Sequence, residues 1–352
     1  MVSTHPDDTA SRPDTALAAL IGILADGRFH SGNALAMALG LSRTAVWQRI
    51  RRLRTALGLD IAAVPGRGYR LQSPLELLDA ARIRAAMSPR WREAVAIHTH
   101  ISLDSTNRHL LEAAAAGAPP GTVCFAEHQS AGRGRRGRQW VSPLGRNLYF
   151  SLLWPMPTGP GNPAGLSLAV GVALAEGLSA WLEDGRGGVC VGKDGGLALK
   201  WPNDLYWSGR KLGGILLEMR GEVGDNGMVV VGIGLNLAMS EAVGAEAIDQ
   251  AWTDLQTACG RRVDRNALAG VLLSSVMAAL ARYDEGGLAP FLPAWQRFDA
   301  FRDRPVVLRG VAGSIEGVAR GIDASGALLV ETGGRVARFY SGELSLRGKE
   351  HA

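Results

Sequence analysis

Apolar positions in the first seventy residues recur at helical spacing. Leu17, Leu20, Ile21 and Leu24 share one face of a run from Thr15 to Ala25, which Gly27 ends. Ser31 is placed to cap a second helix reaching about Leu39, and Gly40 supplies a turn. Ser42 caps a third helix whose stripe is Val46, Ile50, Leu53 and Leu57. Three short helices around a glycine turn predict a helix-turn-helix. The period then changes: Ile61 to Leu71 holds two brief extended runs around Pro65-Gly66, a hairpin that would form the wing of a winged helix.

Beyond Ser73-Pro74 the character shifts, and from Ile97 to about Leu237 strand-like runs alternate with helical ones. Ala198–Trp207 and Lys211–Met219 flank Ser208-Gly209-Arg210 as a hairpin, and Met228–Leu237 supplies a third strand, which predicts an antiparallel sheet rather than a doubly wound one. Helical pattern resumes from Asn266 to Tyr283. After Asp303 the short runs Pro305–Arg309, Ser314–Ile322, Ala327–Glu331 and Val336–Tyr340, separated by glycines, predict a small β-barrel. The expected organisation is α+β and multidomain: a loose tail at 1–14, a winged head at 15–74, a large central domain at 75–302 and a small C-terminal domain at 303–352.

Composition adds limits. A chain of 352 residues is long enough for two or three cores. Met1 to Asp14 is polar and contains prolines, unlike a secretory signal. The most apolar stretch, Gly165–Ala180, is interrupted by Gly171 and Gly177 and falls short of the ~20 residues that cross a bilayer, so no membrane span is expected. Cys124, Cys190 and Cys259 are odd in number and lack C-x-x-C spacing, which predicts free thiols in a reducing, cytoplasmic setting. The net charge of +5 permits a polyanionic partner without requiring one, so the placement of arginines carries more information.

Gly132-Arg133-Gly134-Arg135-Arg136-Gly137 spells G-x-G-x-x-G, but three arginines fit poorly in the tight strand-to-helix turn of a dinucleotide fold. Guanidinium groups that grip phosphate or carboxylate, with glycines allowing close backbone approach, suit the loop better; a solvated basic loop is the competing reading. Gly187 to Lys193 fits G-x-x-x-x-G-K, but Asp194 stands where a P-loop needs Ser or Thr, so a flexible surface insertion across Gly185–Gly196 is expected instead. Lys200 precedes Trp201-Pro202-Asn203-Asp204 at a strand end, where the pre-proline residue is held extended. Alone it reads as an ordinary strand lysine; with the arginine loop it becomes a candidate phosphate ligand. No G-x-S-x-G elbow occurs and the seven histidines lack metal-ligand spacing, so no protein-held metal is expected and the nucleophile would come from a substrate. Arg43, Thr44, Gln48, Arg49, Arg51 and Arg52 lie off the stripe of the third helix, and with Arg67 and Arg70 of the hairpin they suit phosphates and base edges in a major groove.

These residues together resemble the family of bifunctional biotin protein ligases that double as biotin operon repressors. The likeness covers nearly the whole chain: Phe29-His30-Ser31-Gly32, Gly40-Leu41-Ser42-Arg43 and Val64–Tyr69 in the head; Asp104-Ser105-Thr106-Asn107, Gln129, Ala131–Arg138 with Trp140, Lys200–Leu205, Arg210–Leu216 and Gly232–Asn236 in the centre; and Gly321-Ile322-Asp323 with Gly326–Leu329 in the tail. The resemblance implies a winged head, a central class II aminoacyl-tRNA synthetase-like domain of antiparallel sheet with helices, and an SH3-like C-terminal barrel. It implies that biotin and Mg2+-bound ATP give biotinyl-5′-adenylate, which a lysine of a biotin carboxyl carrier protein then attacks.

Carried over residue by residue, the resemblance assigns Ser105, Thr106, Asn107, Gln129, Arg133, Gly134, Arg135 and Lys200 to biotin, and Arg133, Arg135, Trp140, Lys200, Asn203, Lys211 and Asn236 to the adenylate and ATP. Lys200 and Arg135 become the catalytic pair, Gly213 and Gly214 room for the valeryl chain, and the arginine loop a lid. Arg43, Thr44, Gln48, Arg49 and Arg67 fall to operator DNA, with a homodimer favoured by the adenylate. Trp47 on the recognition helix and the Gly185–Gly196 insertion depart from the pattern. Two other readings are a biotin-sensing DNA-binding regulator without catalysis and a lipoate ligase-like acyl-adenylate enzyme.

Overall fold

The computed structural model describes residues 15–156, 163–184, 195–221, 227–239, 248, 250–310, 313–340 and 345–348. The expected loose tail, the rejected P-loop at Gly187–Lys193, Cys190 and most of the Gly185–Gly196 insertion fall outside them. The chain forms two compact units, one running to Leu77 with Pro143–Gly145 and the other comprising Leu78–Ser142 and Arg146–Ala352.

In the first unit α1 (Thr15–Leu24), α2 (Gly32–Leu39) and α3 (Arg43–Ala56) follow the apolar pattern, and Leu20, Ile21, Leu24, Leu35, Val46, Ile50 and Leu53 are buried. Ser31 and Ser42 cap as expected, accepting from the amides of Ala34 and Ala45 at 3.1 Å each. Between those helices Gly40 takes a left-handed conformation and closes α2. Strands β1 (Ile61–Val64) and β2 (Gly68–Leu71) pair as the wing hairpin. Gly68 is required there: with φ +97, a Cβ would lie 2.1 Å from the carbonyl oxygen of His30.

The second unit is built on a seven-stranded sheet in the order β3 (Ala96–His100), β4 (Thr122–Ala126), β5 (Leu148–Pro155), β9 (Met228–Leu235), β8 (Arg210–Arg220), β7 (Asp204–Trp207), β6 (Leu197–Lys200). All neighbours are antiparallel except β3 and β4. The sheet is therefore mixed: α4 (Ala80–Ala86) precedes β3, and α5 (Thr106–Ala115) crosses from β3 to a parallel β4. The run expected as one strand, Ala198–Trp207, is two strands folded back at Trp201-Pro202-Asn203, where the Trp201–Pro202 bond is cis.

One face of the sheet, including Val123, Phe125, Phe150, Leu152, Val231 and Ile233, packs with α6 (Pro163–Asp184) and α8 (Arg265–Gly286). Both helices have 22 residues and are apolar enough for a bilayer by length, with 72% and 61% of their apolar windows buried inside the protein. The glycines expected to interrupt the first do not. A Cβ at Gly177 would sit 2.7 Å from Ser275 Oγ on α8, so this glycine lets the helices approach closely. Arg265 at the start of α8 donates to Glu127 Oε2 at 2.7 Å and to the Asn147 carbonyl, a buried pair satisfied on both sides. On the opposite face, α5 covers a smaller cluster of Leu110, Cys124, Leu153 and Val230.

After α7 (Leu255–Cys259) and α9 (Leu292–Phe298), the tail forms a five-stranded antiparallel sheet in the order β13 (Arg335–Phe339), β12 (Leu328–Thr332), β11 (Gly313–Ile322), β10 (Pro305–Gly310), β14 (Ser345–Gly348). The last strand had no counterpart in the apolar pattern. Trp201 Nε1 donates to the Gly326 carbonyl at 3.1 Å, tying the β6–β7 turn to this sheet.

Candidate functional site

A cleft in the second unit runs over β8 and β9, between the first turn of α5, the loop from Gly132 to Trp140 and the β6–β7 turn. One end is polar and closely bonded. The Thr106 amide donates to Gln129 Oε1 at 2.9 Å, and Gln129 Nε2 donates to Ser142 Oγ at 3.2 Å. Ser151 Oγ hydrogen-bonds Thr106 Oγ1 at 2.7 Å and Asn107 Oδ1 at 2.6 Å. Ser105, the buried N-cap of α5, makes no capping bond with its side chain, which leaves the hydroxyl at the cleft wall. Asn107 reaches β9 so closely that a Cβ at Gly232 would stand 2.0 Å from its Oδ1. Short donors and acceptors fixed by a buried network suit a planar polar group such as a ureido ring.

The arginine loop is a tight hairpin. Trp140 N donates to Gly132 O at 2.8 Å and Gly134 N to Arg138 O at 2.7 Å, with one 3-10 turn at Arg135–Gly137 and Arg136 in the left-handed region at φ 61. No helix follows it, so the dinucleotide-fold reading has no structural counterpart. Gly132 is packed too closely for a side chain: a Cβ would lie 2.5 Å from the Trp140 carbonyl oxygen. Arg133 Nη2 donates to Glu218 Oε2 at 2.9 Å, and Asn107 Nδ2 donates to the same oxygen at 2.8 Å. Glu218 thus joins the polar cluster to the loop. Sequence reading missed it, although Gly214, Leu216 and Glu218 alternate onto one face of β8.

Trp140 lies across the middle of the cleft. A Cβ at Gly234 would come within 2.5 Å of its indole, and one at Gly214 within 3.3 Å, so both glycines make room for the ring. Gly213 is not at the cleft wall; a Cβ there would lie 2.8 Å from Gly234 O across the sheet, which makes it a packing glycine rather than space for an acyl chain.

At the other end the charged groups gather. Arg135 Nη1 donates to Asn203 Oδ1 at 3.3 Å, and Asn203 Nδ2 to Ile215 O at 2.7 Å. Lys211 Nζ lies 2.8 Å from Asp204 Oδ1 and 5.4 Å from the centre of the Trp140 ring. Asn236 is held by its Nδ2 donating to Thr253 O at 3.1 Å. Arg135, Arg138 and Lys211 line this end with Asp204, so the wall is strongly cationic. Arg135 is partly desolvated by burial, which lowers its pKa.

The structure brings Ser105, Thr106, Asn107, Gln129, Arg133, Gly134, Arg135, Trp140, Asn203, Lys211 and Asn236 to one cleft, whereas Lys200 does not line it, although the register pairs Lys200 with Asp204 on the same face of the sheet. Lys200 ends β6, 7% exposed, and its Nζ donates to Tyr206 Oη at 2.8 Å. Burial lowers its pKa to about 8, partly opposed by Asp204 and reinforced by Lys211. The lysine at the cleft wall is Lys211, on the following hairpin.

In the first unit the exposed residues Arg43, Thr44 and Trp47 of α3 line a concave surface with Val64–Gly66 and Tyr69 of the wing. Gln48 is exposed beside them. Arg49 is half-buried and donates to the Ala45 carbonyl of its own helix, so it is the least available of the expected groove readers. Arg67 and Arg70 stack on Phe29 with guanidinium carbons 4.1 and 4.8 Å from the ring centre. Trp47, 51% exposed with Arg51 5.8 Å from its ring, stays on the open face.

Three family comparisons divide the chain in the same order. Residues 17–70 match the helix-turn-helix domain, 100–236 the biotin/lipoate A/B protein ligase family and 303–347 the biotin protein ligase C-terminal domain. The bifunctional ligase/repressor BirA of Salmonella typhimurium is 43% identical over 94% of this chain and 97% of its own length; that of Bacillus subtilis is 32% identical over 92% and 95%. Among solved structures, the biotin protein ligase from Aquifex aeolicus in complex with biotin and ATP superposes with a TM-score of 0.60 at 28% identity, covering 72% of this chain and 99% of that one. With the ligase motifs gathered in one cleft, a helix-turn-helix head before it and identity spanning nearly the full length of its relatives, the chain belongs to the bifunctional biotin protein ligases that carry a DNA-binding repressor domain.

Proposed function

We propose that the cleft activates biotin through its carboxylate and that Lys211, Arg135 and Asn203 hold the reacting end. A carboxylate oxygen of biotin attacks the α-phosphorus of ATP and pyrophosphate leaves; the amine of a carrier lysine then attacks the acyl carbon and AMP leaves. Ser105, Thr106, Asn107 and Gln129 would bind the ureido end, and Arg133 would border the acyl chain beside Trp140. Charge concentrates on carboxyl and phosphate oxygens during both steps, and preorganised cations stabilise it. The observation that carries this reading is the separation of a hydrogen-bonding end, where Glu218 pairs with Arg133, from a cationic end along one cleft. Lys200, paired with Asp204 in the sheet and bonded to Tyr206, lies beside this cationic end.

Magnesium fits as a companion of the triphosphate. Asp204 is the one carboxylate among the described lining residues, and Lys211 already engages it, so phosphate oxygens and water would supply most of the ion's ligands. The partner is a biotin carboxyl carrier protein, the setting cytoplasmic, and the head an operator reader. Adenylate held under the Gly132–Gly137 loop would favour a homodimer that sets two heads on a palindromic site.

Incubation with biotin, Mg2+, ATP and a carrier domain should shift the carrier's mass by one biotinyl group. Biotin binding without transfer would leave a DNA-binding sensor, and transfer of lipoate alone would reassign the polar end.

A further inference from the structure

Away from the cleft, three metal-ligating side chains meet where α5 packs on β3 and β4. His100 ends β3, His109 lies in the first turns of α5, and Cys124 sits in the middle of β4. The register pairs His98 with Cys124 and His100 with Ala126, so both histidines of β3 share the sheet face that carries Cys124, the face α5 covers. Imidazole nitrogens of His100 and His109 and the Cys124 sulfur lie within 4.8 Å of one another. The His100 and His109 rings meet at 4.8 Å, and His100 Nε2 is buried with no hydrogen-bond partner. An unpaired buried ring nitrogen beside a buried thiol is a costly arrangement that a ligand common to both would relieve.

We propose that His100, His109 and Cys124 form a site for one zinc-class divalent ion, with solvent as the fourth ligand. Two imidazoles and one thiolate select a borderline-soft metal over Mg2+ or Ca2+, whose preference is for oxygen. Tetrahedral coordination at about 2.0–2.3 Å sets ligand atoms roughly 3.3–3.7 Å apart, so about 1 Å of side-chain closure forms the site without moving a strand. Binding replaces the Cys124 thiol proton with the metal and releases that proton to solvent. The three residues are 9 and 15 positions apart on separate elements, which is why local spacing conceals them. The His109 amide donates to the carbonyl oxygen of Ser105, so an ion here would pin to the sheet the same turn that presents Ser105, Thr106 and Asn107 to the cleft. The site is independent of the proposed ligase reaction.

The test uses the full chain with Cys190→Ser and Cys259→Ser, which leaves Cys124 as the sole thiol. Titration with Co2+ should give one equivalent of binding with a thiolate-to-cobalt absorption band, displaced by Zn2+. Cys124→Ser should remove the band, and His109→Phe should weaken binding by about tenfold or more. Zn2+ should raise the melting temperature of the parent chain and leave that of His109→Phe unmoved, a readout that separates loss of a ligand from loss of fold. Absence of a thiolate band at millimolar Co2+, or a band that His100→Phe and His109→Phe leave intact, overturns the site.

Discussion

Lys211 Nζ lies 2.8 Å from Asp204 Oδ1, across the β7–β8 hairpin and against Trp140, while Lys200, paired with Asp204 across β6 and β7, donates to Tyr206 Oη at 2.8 Å. A cation held in place before substrate arrives needs no reorganisation when charge builds on the carboxyl and α-phosphate oxygens, and such a group is worth about 3–4 kcal/mol. Lys211→Ala should therefore cut biotin-dependent pyrophosphate exchange by about a hundredfold or more, and Lys200→Ala by clearly less. Equal losses in the two variants would return the catalytic role to Lys200.

Lys200 has its own signature in stability. Burial lowers its folded pKa to about 8, below its ordinary 10.5, so the folded chain binds fewer protons than the unfolded chain between those values. Stability from this residue is at its poorest below pH 8 and rises as pH climbs from about 8 to 10.5. Lys200→Met should flatten that slope by up to one proton, measured as the difference between urea unfolding curves of parent and variant at pH 7.5, 9 and 10. Parallel slopes would mean that the ammonium is solvated.

Much of this was legible from sequence, because helices and caps are local: Ser31, Ser42 and the Val46, Ile50, Leu53 stripe stand as expected. The ligase motifs, scattered from Ser105 to Asn236 in sequence, supply eleven residues that the fold gathers at one cleft. What escaped depends on non-local pairing. The parallel β3–β4 pair follows from the α5 crossover, the turn at Trp201-Pro202-Asn203 splits an apparently continuous strand, and Glu218 matters only because β8 brings it to Asn107 and Arg133. Lys200 and Lys211 are indistinguishable as lysines in strand-like runs; only the fold sets Lys211 at the cleft wall and bonds Lys200 to Tyr206.

Glu218 is the next test of coupling. One oxygen accepts from both Asn107 and Arg133, so truncation removes the group that holds the ureido-side amide and the arginine loop together, leaving Asn107 Nδ2 with the Leu216 carbonyl alone. Glu218→Ala should raise the KM for biotin by about tenfold or more, and Glu218→Gln, which keeps one acceptor oxygen, should recover part of it. An unchanged KM in both would show that the two donors find other partners at no cost.

Arg135 closes the cationic end through Asn203, on the tight hairpin of the arginine loop. Arg135→Gly should still form adenylate but hold it poorly. Released biotinyl-adenylate acylates exposed lysines without carrier recognition, so biotin should appear on bystander albumin in the same tube. Labelling of bystander protein at the parental level would remove Arg135 from adenylate retention.

The head offers a comparison between two arginines one helical face apart. Arg43 is exposed at the first turn of α3 on the surface shared with the wing, whereas Arg49 is half-buried and spends a guanidinium donor on the Ala45 carbonyl. A side chain engaged with its own helix must give up that bond to reach a phosphate or base, which offsets the gain. Arg43→Ala should weaken operator binding by about 1–3 kcal/mol if it reads a base edge. If it meets only phosphate, the loss should be uniform across sequences, with the salt slope falling by about 0.9. Arg49→Ala should change affinity by much less in either case. Binding isotherms at several salt concentrations, on operator and on unrelated duplex, distinguish these outcomes, and a larger loss for Arg49→Ala than for Arg43→Ala would mean that the wing-side surface is not the groove-facing one.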